Sequence, residues 1–345
     1  MPKAFLQSKE LKQAITSQNL AYLMRIELII IKITYYLLYI YYNSLNFEKR
    51  NSTQGLTIRQ AFNKTRFTHS KTLLLDIDCV IPNIVRRLLS NKTLPKRFAA
   101  YSLQEVGIIF LTTQILSIMR KTRCSKTLFF ITRGRESFRY QLCDHYKQKR
   151  HQFDDDFRSL LKALKIALVE KYPLKKGARI QGEHCFEYEA DDIISFYKKK
   201  DPKNYVIASM DKDILYSNRG SHFNLKTNAF FNVSQKEAHF FAYYQCVVGD
   251  KGDNIKGVKG IGGFNYKDFL NEDAKEHELW EQIIQAFKIK EDLSDSEAKE
   301  KALLNMRLVN MHQMTRHGVI KLWEPEFKKT FFPKKPQRPD FKRIS

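Results

Sequence analysis

An α/β domain with a central, mainly parallel sheet and flanking helices is the fold this sequence predicts, on three observations. Short apolar runs alternate with amphipathic helical stretches from Lys71 onward. The runs are apolar throughout rather than at every second residue, which marks strands buried on both faces. Two of them end directly on a carboxylate, Asp76 and Asp211. Chain length agrees, since 345 residues can bury a sizeable core as one large domain or two coupled ones.

Thr72–Leu75, closing on Asp76, is the first strand, and Thr127–Thr132 (TLFFIT) is the second. Ala178–Gln181 reads as a third, and Tyr205–Met210 (YVIASM) before Asp211 as another. Between them the spacing predicts helices over Leu103–Arg120, Phe157–Glu170 and Ala190–Lys199; in the second, Leu160, Leu161, Leu164 and Leu168 share a face. Asp154–Asp156 read as that helix's acidic first turn. Residues 1–70 read as an N-terminal extension of unknown role. Their apolar run Leu28–Tyr42 is interrupted by Lys32 and falls short of the roughly 20 residues a spanning helix needs, so no membrane is expected. Residues 71–234 form the α/β domain, 235–330 a helical region, and 331–345 a basic tail.

Sixty Lys+Arg against 37 Asp+Glu give a formal charge of +23, which predicts a polyanionic partner. The five cysteines are scattered, with no CxxC and no zinc spacing, as in reduced proteins of the cytoplasm.

On that basic background stand eight acids in four short clusters: Asp76; Glu189, Asp191 and Asp192; Asp211 and Asp213; Asp250 and Asp253. Glu189 and Asp192 share a helix face at i, i+3. In a parallel sheet, ligands bind beyond the carboxyl ends of the strands, so distant chain positions meet in one crevice. Each cluster alone has an ordinary explanation as a helix cap or a turn. Together they would repel one another unless cations bound there. Carboxylates without His or Cys select Mg²⁺ or Mn²⁺, and two such ions can clamp the attacking and leaving oxygens of a phosphodiester.

Directly after Asp253 comes NIKGVKGIGGF, with Gly257, Gly260, Gly262 and Gly263 inside seven residues. Glycines let backbone turn tightly and approach a ligand. A helix-hairpin-helix grip on a DNA backbone near residues 249–275 is the expected use, with Lys256, Lys259 and Lys267 supplying charge. A plain tight turn between helices is the alternative.

The order LLLD, EADD, SMDKD and GDKGDNIKGVKGIG, covering roughly residues 71 to 316, resembles the flap endonuclease/5′→3′ exonuclease family in its phage and bacterial branch. The resemblance implies a two-metal-ion site, a helical arch near 140–172 and a helix-three-turn-helix DNA grip, with K⁺ as a further cation there. It implies a monomer acting at DNA 5′ ends and 5′ flaps, and on RNA in RNA–DNA hybrids, in replication, repair or recombination. The expected place is the cytoplasm, or the host's if the genome is viral. Asp76, Glu189, Asp191 and Asp192 resemble the first metal group; Asp211, Asp213, Asp250 and Asp253 complete the site. Tyr146, Lys147 and Arg150 resemble the Y-K-x-x-R segment at the arch base, where the cations meet the scissile phosphate and Tyr146 stacks on a base.

Three departures stand out. Thr132-Arg133-Gly134 follows the second strand where the family carries an aspartate; Phe264 replaces a usual lysine; and the segment after Arg150 is short. Two rival readings remain open. One keeps the fold as a catalytically weakened DNA-junction binder. The other takes Asp76-Ile77-Asp78 as the D-x-D motif of a haloacid-dehalogenase-like phosphatase, with Asp76 as nucleophile.

Overall fold

A computed structural model describes residues 71–90, 101–149, 153–315 and 319–325. The N-terminal extension, Arg150 and the basic tail lie outside the described residues.

Six strands form one sheet: β1 (Thr72–Asp76), β2 (Lys126–Thr132), β3 (Ile180–Cys185), β4 (Tyr205–Ser209), β5 (Gly220–Asn224) and β6 (Ala229–Val233). Their spatial order is β3-β2-β1-β4-β5-β6, parallel except for the β5–β6 hairpin. The chain reverses its direction of winding between β1 and β4. A crevice opens at such a switch point, beyond the carboxyl ends of the strands. Asp76 ends β1, and Asp211 follows β4 by two residues.

The uniformly apolar run in β1 is explained by its two covered faces. Leu73 and Leu75 pack with α1 (Ile81–Ser90), α2 (Leu103–Thr122) and the helix Asp155–Lys171. Leu74 packs on the opposite side with Phe130, Ile207 and Ile194. Asp154 caps the Asp155–Lys171 helix by accepting the Phe157 N–H at 2.7 Å, as its acidic first turn predicts. That helix buries Phe157, Leu164 and Leu168 in the core. The expected arch over 140–172 is therefore corrected: its second half is a core helix, because one face of the helix is apolar.

In chain order this helix is α4, after α3 (Phe138–Leu142) and before α5 (Ala190–Lys200) and α6 (Lys212–Tyr216). The helical region comprises α7 (Gln235–Val248), α8 (Glu276–Glu291) and α9 (Asp295–Val309). Serines 102, 234 and 294 start α2, α7 and α9 with reciprocal Ser/Glu capping boxes. Val247, Ile283, Phe287 and Met306 build the core of this region, with Ile255, Val258 and Ile261 from the glycine stretch. No helix among the described residues is long and apolar enough to cross a membrane.

Candidate active site at the carboxyl edge of the sheet

A relay of short hydrogen bonds fixes the acids at the switch point. Asp76, almost wholly buried, accepts the Ser209 hydroxyl at 2.6 Å. Ser209 Oγ accepts the Asp211 N–H at 2.9 Å, and Asp211 in turn accepts the Asp213 N–H at 2.8 Å, starting α6. Asp213 accepts Gln245 Nε2–H from α7 at 2.7 Å and shares a hydrogen bond with Asp250. Asp250 accepts the N–H groups of Gly252 and Asp253 at 2.6 and 3.2 Å. Asp191, in the first turn of α5, feels the charges of both Asp76 and Asp211.

The electrostatics follow from burial and like charge. Burial, with Asp78 and Asp211 nearby, pushes the Asp76 carboxyl up to about 6 against the opposing Ser209 bond. Burial and the charges of Asp211 and Asp250 push Asp213 up to about 8. Asp191 is raised well above its ordinary range by burial, then by Asp76 and Asp211. Burial likewise raises Asp211, with Asp253 and Asp250 adding to it. Asp250 goes the other way: its burial is outweighed by the Asp213 hydrogen bond and the Lys212 ammonium, 3.6 Å away.

A second group of acids is neutralised by fixed cations. Arg139, fully buried on α3, grips Asp192 with two bonds of 2.7 Å and reaches Glu189 at 3.4 Å. The same guanidinium donates to the Leu308 carbonyl at 2.8 Å and the Asn310 carbonyl at 3.2 Å, at the end of α9. Lys147, with φ of 54°, forms an ion pair with Glu189 and lies 3.6 Å from Asp253. The Tyr146 hydroxyl lies 2.8 Å from Glu189 and 3.0 Å from Asp253. Burial alone would raise Glu189, but Lys147 and Arg139 hold it below its ordinary value.

Seven of the expected acids thus lie along one edge: Asp76, Glu189, Asp191, Asp211, Asp213, Asp250 and Asp253 are linked by bonds or mutual charge. Asp192 is corrected: both its oxygens are occupied by Arg139, and one also accepts the Glu189 N–H at 3.0 Å. Tyr146 is corrected too, because its ring is buried edge-on to Tyr140 at 5.2 Å and cannot stack on a base. Thr132 serves as a joint, its hydroxyl accepting the Ala190 N–H at 3.0 Å and its own N–H donating to Asp78 at 2.9 Å. The sequence reading missed Arg139, and placed Asp78 only in the phosphatase reading. Three acids in EADD with no cation assigned to them were the available signal for the first.

Whether these residues suit a divalent ion is a question of type and spacing. An all-carboxylate donor set whose members are raised by burial and by like charge suits a hard cation. Among the described residues no three such side chains are gathered closely enough to enclose an ion as they stand. The Lys147 ammonium at Glu189 and the Lys212 ammonium near Asp213 and Asp250 supply part of the positive charge instead.

The glycine stretch divides into two functions. A Cβ on Gly257 would collide with the Val247 and Val248 backbone, and one on Gly249 (φ of 74°) with the Gly257 amide. These two glycines let β7 (Gly249–Asp250) and β8 (Ile255–Lys256) pair tightly against the end of α7. Gly257 is therefore corrected from ligand contact to internal close approach. Gly260 (φ of 77°) and Gly262 face open space, and Gly263 nears only the Tyr244 hydroxyl. Lys256, Lys259 and Lys267 are exposed, Lys267 pairing with Glu272 at 3.3 Å. The helix expected directly after the glycines is only a 3₁₀ turn, Tyr266–Asp268; α8 starts at Glu276.

Residues 91–241 match the family model for the 5′-3′ exonuclease N-terminal resolvase-like domain. The chain is 27% identical to a 5′-3′ exonuclease of Mycoplasmopsis pulmonis over 51% of this chain and 62% of that one. It is 29% identical to the flap endonuclease Xni of Shewanella woodyi, over 51% of this chain and 70% of that one. Of the DNA polymerase I of Borreliella burgdorferi it spans only 23%, at 28% identity over 54% of this chain. The bacteriophage T5 flap endonuclease, solved with DNA and metal ions, shares the fold: TM-score 0.52 and 17% identity, over 70% of this chain and 89% of that one. A zinc-bound T5 5′-exonuclease structure superposes with a TM-score of 0.50 at 18% identity, over the same shares. Fold and acidic edge define an α/β domain with a carboxylate-rich crevice at its switch point. Over these residues the chain resembles the flap endonuclease/5′→3′ exonuclease family.

Proposed function

We propose that this chain is a metal-dependent 5′ nuclease that hydrolyses phosphodiester bonds at DNA 5′ ends and 5′-flap junctions. The observation that carries the reading is the hydrogen-bonded run of carboxyls at the sheet's switch point, of which Asp76, Asp191, Asp211 and Asp213 are raised by burial and then by their neighbours' charges. Those four, with Glu189, Asp250 and Asp253, would hold two Mg²⁺ or Mn²⁺ ions. When bound, such ions polarise the phosphodiester and activate water. Ser209 and Gln245 orient Asp76 and Asp213 toward the crevice. Lys147, seated beside Glu189 and Asp253, would place its ammonium near the phosphate and offset developing charge. Arg139 keeps Asp192 and the start of α5 in place throughout. The exposed lysines of residues 235–330 hold duplex backbone. The chain works as a monomer in the cytoplasm, accepts RNA–DNA hybrids as well as DNA, and serves replication, repair or recombination.

A second reading, a junction binder without catalysis, is favoured by Thr132, which puts no carboxylate after β2, and by Lys147 seated among the acids. A 5′-flap duplex labelled at either end, incubated with Mg²⁺, Mn²⁺ or EDTA, separates the two. Cutting near the junction only with metal supports the nuclease. Tight binding without cutting in either metal supports the binder, and full cutting in EDTA overturns the metal site.

A further inference from the structure

At the tip of the glycine turn stands the most exposed large apolar side chain of the described residues, Phe264, at 107% relative exposure. Its backbone is not loose. Asn265 accepts the Gly262 N–H at 2.8 Å and donates to the Gly260 carbonyl at 2.9 Å, closing the turn with its own side chain. Ile261 and Leu270 are buried on either side, anchoring both ends of the stretch in the helical core. The protein therefore uses an ordered scaffold to hold an aromatic ring in water. Around it the backbone at Gly260 and Gly262 is open, and Lys256, Lys259 and Lys267 are exposed. An apolar tip in a turn that also carries exposed lysines, Lys267 paired with Glu272 at 3.3 Å, fits a partner with anionic rails and an apolar floor between them. Double-stranded nucleic acid has that chemistry, with phosphates bordering a groove lined by sugars and base edges.

We propose that Phe264 is an apolar anchor that enters the minor groove of duplex DNA, while the neighbouring lysines hold the flanking phosphates. The ring packs on deoxyribose and base edges, so it adds affinity that salt does not screen and that depends little on sequence. This rests on the duplex-binding reading above.

The experiment is fluorescence anisotropy of a labelled 5′-flap duplex in EDTA, over a salt series, with the full chain, Phe264→Ala and Phe264→Lys. Melting temperatures of all three should agree, because the ring touches no core. Phe264→Ala should weaken binding roughly tenfold at every salt concentration, giving a parallel line of log affinity against log salt. Phe264→Lys should regain affinity at low salt but steepen the slope by about 0.9, the value of one added phosphate contact. Phe264→Ala binding within twofold of wild type overturns the anchor. So does a monomeric Phe264→Ala protein with unchanged DNA affinity where wild type self-associates, since the ring would then serve a second copy. Failure of wild type itself to bind the duplex overturns the underlying reading instead.

Discussion

Two groups of acids share one crevice and are stabilised in opposite ways. Glu189 and Asp192 are satisfied by Arg139, Lys147 and the Tyr146 hydroxyl. Asp76, Asp191, Asp211 and Asp213 are raised by burial first and by neighbouring carboxylates second, with Lys212 at 3.9 Å from Asp213 offsetting only part of this. The first group is complete as a piece of architecture. The second has a charge deficit that protons or metal must fill. Acid content alone therefore does not define a site; the decisive property is which carboxylates the protein leaves without its own cations.

The largest effect that could break this comparison is on rate. Asp191→Asn with Asp211→Asn should lower flap cleavage by on the order of a thousandfold, because metal-derived stabilisation is worth several kcal/mol. The same double variant should melt at a higher temperature than wild type in EDTA, since two mutually repelling charges are gone. An unchanged rate, or a lower melting temperature, would place these two acids with the structural group.

Arg139→Leu should have the next largest effect, on stability. It strands Asp192 without its buried partner and should cost about 3–5 kcal/mol in urea unfolding. Arg139→Leu with Asp192→Leu should recover much of that loss. A single variant as stable as wild type would show that the pair is not the structural half of the crevice.

The pH dependence sharpens the contrast further. A carboxyl raised on folding holds a proton that the unfolded chain loses near its ordinary 3.8, so its stabilisation fades as pH rises toward the folded value. Metal-free protein should lose melting temperature from pH 4 upward, through about 6 for Asp76 and about 8 for Asp213. Glu189, held low, contributes the opposite slope on the acid side. Saturating Mg²⁺ should flatten the upper limb, and calorimetry should record protons released as the ion binds. A melting temperature independent of pH between 5 and 8 in EDTA would contradict the charge deficit.

The smallest effects separate the two kinds of glycine. Gly257→Ala should destabilise the fold by about 1–3 kcal/mol through its clash with the α7 backbone. Gly262→Val should melt like wild type but bind flap duplex several-fold more weakly, whatever the sequence. Equal behaviour of the two variants would erase the division.

Particular residues show what sequence could reveal. TLLLD and YVIAS were legible because strands covered on both faces must be apolar throughout. β3, IQGEHC, was displaced to Ala178–Gln181, because an edge strand tolerates polar residues and gives no clear pattern. The β5–β6 hairpin was missed for a similar reason: most of AFFNV is exposed. Asp191 and Asp192 are adjacent letters, yet about 100° of helix separates the side chain in the charged relay from the one held by Arg139. That difference depends on a cation 53 residues away. Gly257 and Gly260 likewise look alike in sequence, and only the packed end of α7 distinguishes them.

The reach of Arg139 to the Leu308 and Asn310 carbonyls has a consequence for how the fold comes into being. These contacts join positions 169 and 171 residues apart. A ribosome that has released β1 through α5 has delivered Asp76, Glu189 and Asp191 of the acidic edge together with Arg139, but not the carbonyls that seat this cation. At roughly 5–20 residues per second, the nascent chain waits several seconds for α9. Until then a buried guanidinium and the acids it orders lack their full set of partners. A chain ended at Ser294 should accordingly show faster amide exchange around Glu189–Asp192 than the full-length protein; equal protection would disprove the dependence. By this logic the acidic edge stays incompletely ordered in any fragment that lacks α9.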